Sequence, residues 1–164
     1  MKIETKQFGP MEIEEDRIVT MSGGMPGFND MKRFVIIERE ETWPFQCYQC
    51  LDEPELSFFI IKPTLFMAEY KMDMEQAVRE TGWEGDSIED VELYVIVNTS
   101  AGVPEKITAN LIGPLVVNSR RREADQLVLH NSPYSHQHLI FPQPPSSSSA
   151  EKNGSTNGQR TVTA

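Results

Sequence analysis

The 164-residue sequence contains few cysteines and no long apolar segment. Its two cysteines cannot supply the disulfide framework that stabilises many small secreted domains. Residues 1–6 include three charged side chains, where a secretion signal would have its apolar core. No apolar run approaches the ~20 residues that a membrane-spanning helix needs. We therefore expect a protein of the reducing cytoplasm that makes no contact with a membrane.

Motifs of enzymatic chemistry are also lacking. No Gly-x-Ser-x-Gly segment is present to seat a hydrolase nucleophile. The glycine-rich residues 22–28 are not followed by the Gly-Lys-Ser/Thr that a phosphate-binding loop requires. We expect no catalytic activity and no cofactor. A rival interpretation is a β-barrel hydrolase or isomerase that uses some of the many carboxylates, which the sequence alone does not pair.

Negative charge, by contrast, is abundant. The 25 Asp and Glu outnumber the 15 Lys and Arg, so the formal net charge is -10. Residues 143–164 carry a net charge of +1 from Glu151, Lys152 and Arg160, which leaves -11 on residues 1–142. Such a domain would repel nucleic-acid phosphates, so we expect no direct nucleic-acid binding. Because residues 143–164 are rich in Pro, Ser and Gly and poor in large apolar residues, they are predicted to form a disordered tail after one domain at 1–142.

Short runs rich in Val, Ile, Phe and Tyr recur along the domain, and most are bounded by Gly, Pro, Asn or Asp. They predict β-strands at residues 11–13, 18–21, 34–38, 45–51, 57–61, 91–98, 115–118 and 126–130. The connections are too short for repeated βαβ crossovers. The pattern therefore predicts a mainly β fold, a small antiparallel β-barrel-like domain.

One helix is expected between the β-runs at 57–61 and 91–98. Asp73 is a good N-cap residue, and Gln76 three residues later occupies the capping-box position. Gly82 can terminate this helix, because glycine adopts the left-handed C-cap conformation without strain. A second helical turn is predicted to begin at Pro63 or Ser87, so the domain should carry one or two short helices.

Two groups of residues have spacings that metal sites can use. Cys47 and Cys50 are three residues apart in a predicted strand, so they should point to opposite faces and cannot share a metal or a disulfide. We expect both to be structural. His136 and His138 would share one face of an extended segment near His130, although zinc usually takes three or four ligands. A β-barrel that binds a metal or a small ligand through these histidines is the alternative function.

The glycine-rich segment is interpreted as a turn. Pro26 and Gly27 fit the two central positions of a type II turn, in which glycine supplies the positive φ. Met25 and Phe28, which flank them, can form an apolar knob on that turn. No lysine is placed to bind a phosphate there.

Residues 24–28, Gly-Met-Pro-Gly-Phe, also resemble the Gly-Leu-Pro-Gly-Phe turn of the FliW family. Residues 110–118, Asn-Leu-Ile-Gly-Pro-Leu-Val-Val-Asn, are similar to a second block of that family. The resemblance covers about residues 1–141, with both motifs in the family's order. Met25 stands where the family has Leu, a change that conserves volume. The chain is therefore identified as a member of the FliW family of flagellar assembly factors.

The resemblance implies a regulatory function. FliW proteins bind flagellin in the cytoplasm and act as its assembly factor. They also bind the small RNA-binding regulator CsrA and stop it repressing translation, including that of flagellin mRNA. Flagellin and CsrA compete for FliW, so flagellin secretion frees FliW to remove CsrA. The family fold is a small β-barrel-like domain, in agreement with the strand pattern.

The family positions are the first candidates for partner contacts, although each could instead be needed only for turn geometry or packing. They are Gly24, Met25, Pro26, Gly27, Phe28, Asn110, Pro114 and Asn118. A second group of candidates is acidic, since an RNA-binding partner must present positive charge. It comprises residues 38–41 and the acidic residues of 84–92, including Glu89, Asp90 and Glu92. The basic residues 120–122 are interpreted as a solubilising turn and not as an RNA site.

Overall fold

The structure is a computed structural model that describes residues 1–100 and 102–141. The tail predicted at 143–164 lies outside the described residues. The strands within them are β1 (Lys2–Thr5), β2 (Gly9–Glu12), β3 (Ile18–Thr20), β4 (Arg33–Ile37), β5 (Gln46–Cys50), β6 (Ser57–Ile61), β7 (Val91–Asn98), β8 (Thr108–Ala109), β9 (Leu115–Asn118), β10 (Glu123–Gln126) and β11 (His138–Leu139). One α-helix, α1 (Met74–Thr81), lies between β6 and β7. Short 3-10 turns occupy Glu15–Arg17, Glu40–Thr42, Pro63–Leu65, Ile88–Asp90 and Pro104–Lys106.

Seven of these strands close into a barrel in the order β3, β4, β5, β6, β7, β9 and β10. Each neighbouring pair is antiparallel except β10 and β3, which pair in parallel between Glu123 and Thr20. At this junction the Thr20 N–H donates to the Arg122 carbonyl at 3.0 Å. Closure leaves these seven strands without the free edges that make open sheets prone to aggregation. The barrel confirms the fold class predicted from the strand pattern.

The barrel interior is filled by apolar side chains. Phe34 on β4 and Tyr48 on β5 are fully buried, and their rings stack with centroids 4.4 Å apart. Ile60 on β6 and Leu115 on β9 are also fully buried in the same cluster. Because side chains alternate along a strand, the inward-facing residues of each strand are two positions apart. Beyond the last apolar residue, the next inward-facing position is polar.

Three further apolar clusters cover the outside of the barrel. The β1–β2 hairpin packs Ile3 against the outward face of β4 and β5. Helix α1 packs Ala77 and Val78 against β7 and β9. The strand β8 pairs with the second half of β7, and β11 pairs with β8. Tyr70 packs in the apolar cluster there, and its hydroxyl donates to the Leu111 carbonyl at 2.7 Å. These covers explain why several barrel strands are buried on both faces.

The helix predictions are confirmed. The Asp73 carboxylate accepts from the Gln76 N–H at 3.0 Å, and Gly82 ends α1 with φ of +83°. Helical turns form at both Pro63 and Ser87.

One strand prediction was misplaced, and three strands were not anticipated. Of the run at 126–130 only Gln126 is in a strand, because the neighbouring β9 begins only after Pro114, which has no N–H to extend the ladder. The strand lies earlier, at β10. The unanticipated strands are β1, β8 and β11, two of which have only two residues.

Candidate functional site

The predicted type II turn is present at one end of the barrel. The Phe28 N–H donates to the Met25 carbonyl at 2.7 Å, and Gly27 has φ of +87°. Gly24, just before the turn, has φ of +71°, and a Cβ there would lie 2.2 Å from the Asn29 carbonyl oxygen. Glycine is therefore needed at position 24 for space as well as for backbone conformation.

The two apolar side chains of this turn have different environments. Met25 is only 2 % exposed and joins the barrel core. Phe28 is 44 % exposed and contacts Phe58 edge to face, with ring centroids 6.3 Å apart. The expected knob of two side chains is therefore wrong for Met25, because the turn directs that side chain into the barrel and closes its end. Phe28 alone is presented to solvent.

The residues from 110 to 114 form a tight corner before β9. The Asn110 Oδ1 accepts from the Ile112 N–H at 3.2 Å, and the Asn110 N–H donates to the Ile96 carbonyl at 2.9 Å. Gly113 lies so close to Asn110 and Gln126 that a Cβ would meet their amide nitrogens at 2.8 and 2.9 Å. Pro114 is buried. These contacts explain the corner by packing and backbone hydrogen bonds.

Asn118, at the end of β9, is the centre of a buried polar network. Its Nδ2 donates to the Asp86 Oδ2 at 2.9 Å, and its Oδ1 accepts from the Arg120 and Arg121 N–H groups at 3.1 and 3.0 Å. Asn118 is fully buried, so each of these bonds replaces one that water would make. The network ties the loop before β7 to the turn after β9.

Asp86 completes this network and was not a sequence candidate. Its side chain is 7 % exposed and forms ion pairs with Arg120 and Arg121. The hydrogen bond from the Arg121 guanidinium, with that from Asn118, holds the pKa of the Asp86 carboxyl below its usual range. Two of the three arginines at 120–122 are thus engaged by a carboxylate. No local sequence pattern could have identified Asp86, because its partners are more than 30 residues away.

The three acidic candidates have three different roles. Glu89 is exposed on the turn Ile88–Asp90. The Asp90 carbonyl accepts from the Ser119 N–H at 2.9 Å, which joins this turn to β9. The Glu92 carboxylate accepts from the Tyr94 hydroxyl at 2.6 Å. All three lie near the end of β9 that holds Asn118, since Val91 pairs with Asn118.

The two groups of candidate residues are only partly brought together, because Asn118 lies beside the acidic residues whereas the turn at 24–28 does not. Phe28 of the turn at 24–28 contacts Phe58, near the start of β6. Glu92 lines a cavity together with Lys62, which lies just after the end of β6. The apolar turn and the acidic residues lie at opposite ends of the barrel.

The cysteines and histidines do not form a metal site. Cys47 and Cys50 are buried free thiols in different apolar clusters, which confirms that they face opposite ways. His130 and His136 are exposed, and His138 stacks on Phe66 with centroids 5.9 Å apart. Within residues 1–100 and 102–141, no group of three or more His, Cys, Asp and Glu could hold a metal ion. The metal-binding alternative therefore has no support in the structure.

No helix in the described part of the chain is long and apolar enough to cross a membrane.

Known proteins resemble this chain over nearly the whole described region. The model of the family described as FliW protein matches residues 2–140. The flagellar assembly factors FliW of Bacillus pumilus and Bacillus subtilis are each 39% identical over 140 residues, which is 85% of this chain and 96% of theirs. A crystal structure of the flagellar assembly factor FliW superposes with a TM-score of 0.77 at 36% identity, covering 87% of this chain and 98% of that one. A match of this extent in sequence and in fold shows that the chain belongs to the FliW family.

Proposed function

We propose that this protein is a cytoplasmic, non-catalytic flagellar assembly factor that binds flagellin and also binds a CsrA-type RNA-binding regulator, which it keeps from repressing translation. The observation that carries the proposal is the family match over residues 2–140, together with relatives named as flagellar assembly factors at 39% identity. Secretion of flagellin would free the protein to bind the regulator, and flagellin synthesis would resume.

The charge of the domain supports the regulator as a partner. A net charge of -11 on residues 1–142 would steer the domain towards a basic RNA-binding surface. The exposed Glu89 and the acidic residues around it are the proposed contact region. The arginines at 120 and 121 do not counter this field fully, because both pair with Asp86. The same negative field disfavours RNA on a regulator that is already bound.

The exposed Phe28 supports a different surface for flagellin. Its ring is held by the turn and by Phe58, so little conformational entropy is lost when a partner covers it. Aromatic side chains of this kind dominate the binding energy of many protein interfaces. We assign the flagellin contact to the turn at 24–28 and the regulator contact to the acidic end.

Calorimetric titration of the full chain with CsrA and, separately, with flagellin from the same organism tests the proposal. We expect 1:1 protomer binding to each, and displacement of CsrA when flagellin is added. Phe28→Ala should weaken flagellin binding about tenfold or more, while Val128→Ala, a change at a more exposed apolar residue elsewhere, should not. Glu89→Lys should weaken CsrA binding, and Glu4→Lys, on the β1 strand, should do so less.

The outcomes separate function from site. If neither folded partner binds, the proposed function is wrong. If both bind but Phe28→Ala and Glu89→Lys behave as their controls do, the function stands and the two assigned surfaces are wrong.

A further inference from the structure

The end of the barrel opposite the turn at 24–28 is open. It forms a cleft of about 350 Å³, within the range of about 300–1,000 Å³ that is typical of small-molecule sites. The cleft follows from strand alternation, because each strand's inward apolar series is continued by a polar residue at this end. On β4 the buried series runs through Ile36 to Glu38, and after β6 it runs through Ile60 to Lys62. Mouths of β-barrels are frequent positions for ligands.

The cleft has charges of both signs, and they are not paired with one another. Its charged side chains are Arg17, Lys62, Arg122, Asp16, Glu38 and Glu92. Within the described ranges, none of the six belongs to an ion pair shorter than 4.0 Å. Arg17 precedes β3, which is three strands around the barrel from β7 and Glu92, whereas Arg122 precedes β10, two strands from β7. Opposite charges held apart in one cleft can receive a ligand that itself carries both charges.

Gln46 is a second, independent feature of this cleft. It is only 5 % exposed and lies two residues before the inward-facing Tyr48, so its side chain also points into the barrel. Its amide reaches the cleft, where it is open to solvent. An amide can donate and accept, so it can bind either end of a zwitterion.

Tyr94 holds the Glu92 carboxylate in place on the cleft wall. Its hydroxyl donates to Glu92 at 2.6 Å, and the Lys62 Nζ lies 5.8 Å from the centre of its ring. Burial and the nearby carboxylates raise the pKa of Tyr94, so the phenol stays protonated. Val19 and Val117 form the apolar floor.

We propose that this cleft binds a small zwitterion of amino-acid size, with its carboxylate towards Arg17 and Arg122 and its ammonium group towards Glu92. The alternation of charge disfavours a polyanion, which Glu38 and Glu92 would repel. It also disfavours a simple cation, which Arg17 and Arg122 would repel. The Gln46 amide lines the same cleft and can bond either charged end of the ligand. This inference does not depend on the proposed flagellar function.

Nuclear magnetic resonance of the full-length, ¹⁵N-labelled protein tests the proposal. Each common L-amino acid is added singly at millimolar concentration while the side-chain amide of Gln46 and the backbone amide of Tyr94 are observed. We expect saturable shifts of both signals with at least one amino acid. The N-acetyl and carboxamide derivatives of that amino acid each lack one charge. Their affinity should be lower by about tenfold or more.

Two variants establish where the amino acid binds. Arg17→Gln and Glu92→Gln both alter exposed side chains and should each weaken binding about tenfold, while Arg79→Gln and Glu75→Gln on α1 are the matched controls. The proposal is overturned if no amino acid shifts either signal. It is also overturned if the singly charged derivatives bind equally well, or if the cleft variants bind as the controls do.

Discussion

Gly24 and Gly27 are three residues apart in one turn, and both have positive φ, yet only one of them lacks room for a side chain. A Cβ at Gly24 would overlap the Asn29 backbone, whereas a Cβ at Gly27 would meet nothing within 4 Å. At the residue scale, therefore, two glycines in the same motif are required for different physical reasons.

This difference predicts unequal effects of alanine. Gly27→Ala should cost about 1–2 kcal/mol, the strain of a left-handed residue. Gly24→Ala should cost about 3 kcal/mol or more, because the rigid Asn29 backbone must also move. Urea unfolding of both variants measures the difference. Equal losses of stability would show that the close approach at Gly24 is unimportant.

Asp86 predicts a pH dependence at the residue scale. Its pKa is lowered in the folded state by Arg121, so its contribution to stability is present above the unfolded pKa of about 3.9. That contribution is lost as the pH falls through the folded pKa, where both states bind the proton. Asp86→Asn should therefore destabilise the protein at pH 7 and differ less from the wild type below pH ~3.

Urea midpoints of the wild type and Asp86→Asn between pH 7 and pH 3 check this expectation. Asp73→Asn is a suitable control, since it removes a carboxylate but keeps an N-cap acceptor. A difference between wild type and Asp86→Asn that stays constant with pH would contradict the role assigned to the arginine pair.

At the scale of elements, β5 is buried at every position, although two of the five residues in its sequence Gln-Cys-Tyr-Gln-Cys are glutamines. The β1–β2 hairpin covers its outer face, where the Lys6 N–H donates to the Gln49 Oε1 at 3.0 Å. The barrel interior receives Tyr48 and Cys50. Burial on both faces thus comes from an element that is more than 30 residues away in the chain.

The environment of β5 predicts inert thiols. Burial raises the pKa of Cys47 and of Cys50, and thiolates are the reactive form. A thiol reagent at pH 8 should modify both cysteines of the native protein only at the rate at which the protein unfolds. In urea, where the protein is unfolded, modification should be fast. Rapid modification of either thiol in the native protein would contradict their assignment as structural residues.

Much of the secondary structure could be predicted from local patterns. The α1 helix has its cap residues within ten positions of each other, and most strands have runs of β-branched or aromatic residues. The strands β8 and β11 could not be predicted, because a two-residue strand is too short to show an alternating pattern. These strands exist only because β8 pairs with both β11 and β7. The run at 126–130 was misleading because Leu127 packs under α1, while the Leu127 and Leu129 N–H groups bond the carbonyls of Pro114 and Ile112 in a corner that is not a strand.

At the scale of the whole molecule, net charge should control association. The charge of -11 on residues 1–142 would attract the proposed basic regulator over a distance set by salt, about 10 Å at 0.1 M and about 3 Å at 1 M. We expect the association rate with CsrA to fall about tenfold or more over this range, while dissociation changes less. Stopped-flow measurement at several salt concentrations tests this. A rate independent of salt would favour an apolar interface.

The sequence by itself determined the acidity, the mainly β character, the helix caps and the turn at 24–28, because each of these depends on residues that are close together in the chain. Only the tertiary structure decided that Met25 is core while Phe28 is exposed, and that Asp86 joins Asn118 and Arg121. It also decided that polar residues from separate strands surround one open mouth. These features depend on strand register and barrel closure, which bring distant residues together and which no local pattern specifies.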